Sequence, residues 1–311
     1  MSQRALAMFS LLSFALSATA ATDSTNQPRN IVGYIPSNVL SGIALAVVLI
    51  VAISHAYNFW KYTGKCMLPM VIGDWTYAGG FGVRFALHSN PDSIGIYIVH
   101  QMLIVLSPCA FIATEYMVLG RLASYLDCGR HLFISPRKIA RVFVISDIVT
   151  FLIQGAGASL STAKTESALR LGGHIFLAGL TLQLISFGVF LAMYIRFLVL
   201  VRMREPRLWH SDRDKAWYKD WRALAYTLLI SSIGVLVRCT YRVIELSQGY
   251  TGHLSTTESF FYALDTLPLC IAIAIYVPFW PGRIILHIDD LTSRKIMVTD
   301  EYPIASMATL A

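Results

Sequence analysis

Ionisable side chains occur inside apolar stretches of this sequence at spacings that align them on one face of a helix. Asp74, Tyr77, Phe81 and Arg84 follow one another at intervals of three, four and three residues. A helix would therefore bring all four to the same side. Charged groups in an apolar environment are costly unless they pair with each other or line a polar pathway. The pattern predicts one of these two arrangements.

The same arrangement recurs in three later apolar stretches. Spacings of three and four residues again align acids or bases with aromatic or amide side chains. The three sets are Arg238, Arg242 and Glu245; Asp147, Phe151 and Gln154; and Glu258, Tyr262 and Asp265. Gln101 and Gln183 add amides in two further stretches. Pro108 is predicted to bend its helix because proline lacks a backbone donor.

Seven apolar segments in the sequence have about the 20 residues that a membrane-spanning helix needs. They are residues 36–54, 67–86, 94–119, 139–160, 171–201, 223–246 and 259–280. A backbone in hydrocarbon must satisfy its own hydrogen bonds, and the short alternating strands of a barrel are not seen, so we expect helices. The predicted fold class is all-α, a polytopic bundle of seven transmembrane helices.

Composition and charge exclude several classes of protein. Hydrophobic residues make up 56% and charged residues only 14% of the chain, whereas soluble domains have roughly 25% charged residues. The net charge of +7 arises from short basic bursts between apolar runs, which is typical of loops on the inner side of a membrane. We therefore predict no nucleic-acid partner, an N-terminus outside and a C-terminus in the cytoplasm.

The first residues have the features of a secretory signal peptide. Arg4 precedes an apolar stretch over residues 5–16, and small residues at 18–20 suit cleavage after Ala20. The alternative is an additional span, but this stretch is shorter than a span requires. The predicted domains are a signal peptide at 1–20, an extracellular segment at 21–35, the bundle at 36–282 and a cytoplasmic tail at 283–311.

The intramembrane polar residues define the candidate site. In the predicted orientation most of them lie toward the outer ends of their helices, where they would form a pocket open to the outer leaflet. The alternative is that Arg238 and Arg242 pair with Glu245, Glu258 or Asp265 only to stabilise the bundle. The candidate substrate-binding or translocation residues are Asp74, Arg84, Gln101, Asp147, Gln154, Gln183, Arg238, Arg242, Glu245, Glu258 and Asp265.

Small residues and histidines have simpler interpretations. Five glycines in the fourth and fifth segments are predicted to allow close helix packing; they are Gly155, Gly157, Gly172, Gly173 and Gly179.

His100 and His174 are interpreted as hydrogen-bonded residues of the bundle or its rim rather than metal ligands. No two histidines have helical ligand spacing and no cysteines form a ligand pair, so we predict no metal and no cofactor.

The ordered motifs resemble one family. They are Gln101 with Pro108, Tyr116, Gly120 and Arg121; Asp147 with Phe151, Gln154 and Gly157; Gly179 and Leu180 with Gln183 and Phe187; and Arg238-x-x-Tyr241-Arg242-x-x-Glu245, then Gly249, Gly252, Glu258, Tyr262, Asp265, Pro281 and Gly282. Over residues 34–282 the chain resembles the fungal RTA-like family, also called the lipid-translocating exporter family. One departure is Tyr77, where the family has a glutamate; Asp74, one turn earlier, is a candidate replacement.

The resemblance implies a seven-span protein of resistance and stress response that exports or translocates amphiphilic lipids or toxic lipophilic compounds. Its partners would be membrane lipids or lipophilic small molecules, with no protein partner evident, and it would reach the plasma membrane by the secretory route. The sequence has no G-x-x-x-x-G-K-[ST] string, so transport would be ATP-independent.

Two other functions are weighed against export. A seven-helix receptor for a lipophilic ligand shares the predicted topology and is the main alternative. A seven-span metal-dependent hydrolase needs clustered histidines, which the sequence lacks, and no G-x-S-x-G string supplies a nucleophile. We therefore predict that the protein is not an enzyme.

Overall fold

The computed structural model describes residues 37–62, 64–90, 93–132, 134–161, 165–206, 209, 220–248, 254 and 257–284. The predicted signal peptide, the segment 21–35 and the tail beyond residue 284 lie outside these residues. Throughout the described ranges the regular secondary structure is helical and no strand is present. The all-α prediction is therefore confirmed for this part of the chain.

Six long helices and one segmented helix make up the described bundle. The long ones are α1 (Asn38–Tyr62), α2 (Leu68–Ser89), α3 (Ile94–Tyr125), α4 (Pro136–Leu160), α5 (Glu166–Arg204) and α6 (Trp221–Ser247). The segmented helix, α7, consists of a turn at Glu258–Phe260, a π-helical stretch at Phe261–Thr266 and an α-helix at Leu267–Ala274. Short 3-10 turns at Lys65–Met67 and Gly129–His131 precede α2 and α4.

Five of these helices are long and apolar enough to cross a membrane. By length and composition they are Asn38–Tyr62, Gly95–Tyr125, Lys138–Leu160, Ser167–Arg204 and Trp221–Ser247. The helix α2 mixes polar residues with its apolar ones, and α7 is divided into short pieces. With these five helices the chain is a multi-pass membrane protein, while the count of seven spans and the orientation stay predictions.

The π-helical stretch of α7 has a local cause in the sequence. Pro268 lacks an amide hydrogen, and in a regular α-helix its ring would collide with the carbonyl group four residues earlier. A widened turn just before the proline relieves that collision. The same turn leaves Asp265 and Thr266 buried while Leu264 and Leu267 are exposed.

The helices pack in chain order around a closed ring. Each helix from α1 to α7 contacts the next one, and α7 returns to contact α1. The helix α3 also contacts α6, so it occupies the interior of the ring. Large apolar residues such as Ile50, Ile185 and Val189 point outward, which is expected of a surface that faces lipid rather than water.

Three of the five glycines predicted to allow close packing do so. A Cβ atom at Gly157 would lie 2.4 Å from the backbone nitrogen of Phe176, and those at Gly172 and Gly179 would also meet the neighbouring helix within 3 Å. The prediction is wrong for Gly155 and Gly173, where a Cβ atom would meet nothing within 4 Å. Spacing along a helix did not reveal which glycines of α4 and α5 face the other helix.

Candidate functional site

The carboxylate of Asp265 holds two arginines of α6. Arg242 donates to Asp265 through Nε, at 2.6 Å from Oδ1, and through Nη2, at 3.0 Å from Oδ2. Arg238 places its Nε 3.0 Å from Oδ1, close enough for an ion pair but without hydrogen-bonding geometry. Arg242 also donates to Glu245 at 3.1 Å. Both arginines and Asp265 are buried, and such pairing offsets the cost of burying their charge.

Pro108 creates a second acceptor for Arg238. In an α-helix the carbonyl oxygen of Ile104 would accept from the amide of residue 108, but proline has no amide hydrogen. Arg238 supplies the missing donor, with Nη2 at 2.8 Å from that oxygen. The guanidinium therefore joins α6 to α3 as well as to α7.

A second ion pair lies on the neighbouring helices α2 and α7. Arg84 Nη2 donates to Glu258 Oε1 at 3.0 Å, and Arg84 is buried. The Glu258 carboxylate also accepts from the backbone nitrogen of Ser37 at 2.9 and 3.1 Å. Arg84 Nη1 lies 3.4 Å from His100 Nε2, and His100 Nδ1 lies 2.9 Å from the carbonyl oxygen of Gly80.

An aromatic ring joins the two ion pairs. The guanidinium carbon of Arg84 lies 4.5 Å from the ring centre of Phe261, and that of Arg242 lies 5.4 Å from it. Both distances suit a cation–π contact. We call the connected charged residues the ion-pair network. It comprises Arg84, Arg238, Arg242, Glu245, Glu258 and Asp265.

The ion-pair network borders a small cavity between α3, α5 and α6. Its polar lining comes from Gln101, Gln183, Arg238 and Arg242. The remaining wall is formed by Val105, Phe176, Leu180, Cys239 and Leu246. The cavity measures about 20 Å³, which is room for about one water molecule. Two guanidiniums, two amides and an apolar wall are suited to a polar group attached to an apolar body.

The amides of α4 and α5 form a contact at the edge of this cavity. Gln154 donates to Gln183 at 2.8 Å, and Gln183 Nε2 donates to the sulfur of Cys109 at 3.5 Å. Asp147 lies on the same face of α4 and is 5% exposed. Neither of its carboxyl oxygens has a hydrogen-bond partner among the described residues.

Asp74 lies apart from the ion-pair network. Its Oδ2 is 2.7 Å from Nδ1 of His55 on α1, and both side chains are fully buried. Ten residues separate Asp74 from Arg84, which corresponds to about 15 Å along a helix. Asp74 therefore pairs outside the ion-pair network, and its role as a replacement for the family glutamate stays a prediction. Tyr77 occupies that position, and its buried hydroxyl has no partner among the described residues.

A family model described as RTA1 like protein matches residues 70–287. This region runs from the first turn of α2 through α7 and includes every residue of the ion-pair network. The chain belongs to the RTA1-like family. The resemblance inferred from the ordered motifs is thereby confirmed.

Several relatives from Saccharomyces cerevisiae are similar to this RTA1-like protein. Protein RTM1 is 31% identical over 73% of this chain and 72% of its own length. Protoporphyrin uptake protein 1 is 32% identical over 67% and 66%. Sphingoid long-chain base transporter RSB1 is 27% identical over 65% and 60%. The chain thus spans less than two thirds of the length of each of the last two relatives. No solved structure matches it.

Sequence reasoning missed some polar partners in this RTA1-like protein. Glu115 is fully buried and accepts from Ser231 at 2.6 Å and from Ser232 at 2.7 Å. His55 was equally unassigned, although a histidine and an aspartate in adjacent apolar segments were a detectable signal. Within the described ranges no three metal-binding side chains are grouped. The interpretation of His100 as a hydrogen-bonded bundle residue is confirmed.

Proposed function

We propose that this protein moves an amphiphilic lipid or lipophilic compound across a membrane without hydrolysing nucleotide. The polar group of the amphiphile binds at the cavity beside the ion-pair network, while its apolar part stays among side chains and lipid. We further propose that the protein reaches the plasma membrane, lowers sensitivity to toxic amphiphiles and performs no catalytic step. The orientation that places the cavity toward the outer leaflet belongs to the same proposal.

The names of the relatives support this assignment. One is named a transporter of sphingoid long-chain bases and another a protoporphyrin uptake protein. Both named compounds combine ionisable groups with a large apolar framework. Because the two differ widely in shape, the feature shared by their carriers is handling of an amphiphile rather than of one molecule.

The cavity is the observation that carries the proposal. A network built only to stabilise the bundle would gain nothing from leaving two arginines and two amides around a space, since tight packing stabilises a protein interior. Here Arg238 and Arg242 are held by Asp265 and still line the cavity wall. Their charge is compensated while their remaining donors are available to a ligand.

The cavity must widen before a headgroup enters. A volume of about 20 Å³ is far below the roughly 300 Å³ or more of ligand pockets. The wall formed by α3 and α5 through Gln101, Phe176 and Gln183 makes no ion pair with α6 in the described part of the chain. We expect α5 to move away from α3 and α6, because this separation breaks fewer charged contacts than separating α6 from α7.

The test is movement of fluorescent probes across a bilayer by the purified full chain. A fluorescent sphingoid base and protoporphyrin are added to liposomes with and without the protein. We expect the protein to accelerate transfer of at least one probe. Replacing Gln101 or Gln183 by alanine should slow that transfer about fivefold, because one hydrogen bond contributes about 1 kcal/mol.

Thr240→Ala serves as the matched control on α6. Thr240 is exposed and bonds only to the carbonyl of Leu236 on its own helix, so its removal should leave the transfer rate unchanged. Equal transfer rates in liposomes with and without protein, for both probes, would contradict the proposal. Saturable binding without transfer would instead favour the receptor alternative.

A further inference from the structure

Asp147 is a buried acid with an unusual environment. Its side chain is 5% exposed, and neither carboxyl oxygen has a hydrogen-bond partner within the described bundle. No cation in that part of the chain lies within ion-pairing distance of it. Every other buried acid described here has a partner: Asp74 has His55, Glu115 has two serines, Asp220 has Arg222, and Asp265 has two arginines.

The neighbouring helix α3 presents only weakly acidic groups to Asp147. The hydroxyl of Tyr116 approaches the carboxyl group without reaching hydrogen-bonding geometry. The thiols of Cys109 on α3 and of Cys239 on α6 are within electrostatic range of Asp147, without a hydrogen bond to it. The nearby Glu115 points instead toward the serines of α6.

The other neighbouring helix, α5, presents uncharged groups at this level. Ser186 contacts Ser146 at 3.2 Å, and Gln183 accepts from Gln154 at 2.8 Å. The titratable residues of α5 lie about two turns or more from Ser186 along the helix. Arg238 is the nearest α6 cation in sequence to Cys239, and it is held by Asp265 and the Ile104 carbonyl.

An ionised carboxylate in this position would be a buried charge without compensation. Proteins avoid that state by protonating the group, since a neutral carboxylic acid loses far less on leaving water. A neutral acid inside a membrane bundle, next to a polar cavity, is a typical component of a proton path. A bound proton would remove the uncompensated charge from this carboxyl group.

We propose that Asp147 is a proton-binding site that is occupied in the arrangement seen here and is emptied when the bundle rearranges. This inference rests on the proposed function and adds the proton as a second transported species. On release the O–H bond of the carboxylic acid breaks, the electron pair stays on the carboxylate, and a water molecule takes the proton. On uptake the same steps run in reverse.

The water molecule that accepts the proton can occupy the cavity. Gln183 lines the cavity and also donates to Cys109, which interacts with Asp147. Cys239 lines the cavity as well. Asp147 therefore lies near the wall of a space that holds about one water molecule, without lining it. Widening of the cavity would admit more water and allow the proton to leave.

Proton release also links the closed arrangement seen here to the proposed arrangement with a wider cavity. The carboxylate left behind has no cation in the arrangement seen here, so ionisation favours any arrangement that provides water or a guanidinium. Binding of the proton removes the uncompensated charge and therefore favours the closed arrangement. A proton gradient would then drive movement of the amphiphile.

Infrared spectroscopy tests the proton site without any transport measurement. The full chain in lipid nanodiscs should show the carbonyl stretch of a protonated carboxylic acid, and Asp147→Asn should remove one component of that band. The component should disappear as the pH is raised. If Asp147→Asn leaves the band unchanged at every pH, Asp147 is ionised and the proposal is wrong.

Probe transfer across liposomes with an imposed pH gradient tests the coupling. The wild-type protein should accumulate the fluorescent sphingoid base or protoporphyrin against its concentration gradient. Asp147→Asn, which mimics the protonated acid, should lose that accumulation while retaining ligand binding. Glu115→Gln is the matched control, because Glu115 is equally buried but bonded to two hydroxyls, and it should retain accumulation.

The two proposals fail in different ways. Accumulation that persists in Asp147→Asn at the wild-type level would overturn the proton inference and leave the transport proposal intact. Absence of transfer by the wild-type protein would overturn the transport proposal, and the infrared band would still decide whether Asp147 binds a proton.

Discussion

Arg238 donates to the carbonyl oxygen of Ile104 at 2.8 Å, and this oxygen lacks its helical donor because residue 108 is proline. A side chain of α6 thus completes the backbone hydrogen bonding of α3. Unsatisfied carbonyl groups inside a membrane protein are costly, so the proline and the arginine depend on each other. The dependence links the interior helix α3 to the ion-pair network.

This dependence predicts that Pro108→Ala partly offsets the loss of Arg238. Arg238→Met should lower the free energy of unfolding in detergent, in part because the Ile104 carbonyl loses its donor. In the Pro108→Ala background the alanine amide supplies that donor, so the same substitution should cost about 1 kcal/mol less. Chemical denaturation of the four proteins measures the difference.

Pro136→Ala is the matched control for that cycle. Pro136 begins α4, where the first amides of a helix have no intrahelical acceptor, so this substitution should not reduce the cost of Arg238→Met. Strict additivity of Pro108→Ala and Arg238→Met would show that the Ile104 contact contributes nothing.

Asp265 should be the acid on which stability depends most. It is fully buried and faces both Arg238 and Arg242, whereas Glu245 is partly exposed and bonds to one arginine. Asp265→Asn would leave two buried cations short of a counter-charge, so we expect a loss of about 3 kcal/mol. Glu245→Gln should lose no more than about 1 kcal/mol. Thermal and denaturant unfolding of the two variants should differ accordingly, and equal losses would contradict this ranking.

Much of this arrangement was predictable from spacing along single helices. The shared face of Asp74, Tyr77, Phe81 and Arg84 is confirmed, because all four side chains are buried. Helix positions also agreed with the apolar segments, since hydrophobic length and periodicity are local properties of the sequence. Some helices extend beyond the segments where polar residues continue the same turn, as in α1, which ends at Tyr62 rather than near residue 54. The helix α7 is instead shorter than its segment and ends at Ala274.

The pairing between helices was less predictable. The sequence suggested Glu245, Glu258 or Asp265 as partners of the α6 arginines. In the structure Glu245 and Asp265 pair with these arginines, whereas Glu258 pairs with Arg84 on α2. These two residues are 174 positions apart, so their contact depends on how α2 and α7 lie in the ring. Spacing along one helix fixes a face but does not identify the helix that the face meets.

A charge swap tests the observed pairing of Arg84 with Glu258. Arg84→Glu alone places two acids together and should reduce the yield of folded protein strongly. Adding Glu258→Arg restores opposite charges and should recover part of that yield. Recovery should be incomplete because Arg84 also contacts His100 and the Phe261 ring. Fluorescence-detected size-exclusion chromatography measures the folded fraction.

Arg242→Glu combined with Glu258→Arg is the control for that swap. Arg242 bonds to Asp265 and Glu245 rather than Glu258, so this combination should fold no better than Arg242→Glu alone. The pairing described here would be refuted if this second swap recovered more folded protein than the first.

Two glycines one half-turn apart on α4 should respond oppositely to alanine. At Gly157 the new Cβ atom would lie 2.4 Å from the backbone nitrogen of Phe176 and 2.8 Å from the carbonyl oxygen of Gly172. Backbone atoms cannot rotate away, so α4 and α5 would have to separate, and we expect a loss of about 2 kcal/mol or more in unfolding free energy.

At Gly155 the same change should be harmless or stabilising by up to about 1 kcal/mol. Its Cβ atom would meet nothing within 4 Å, and alanine favours the helix over glycine by roughly that amount. Because α4 carries Asp147 and Gln154, separation of α4 from α5 in Gly157→Ala should also slow probe transfer, whereas Gly155→Ala should transfer at the wild-type rate. Comparable melting temperatures for the two variants would show that α4 and α5 are not in the close contact described here.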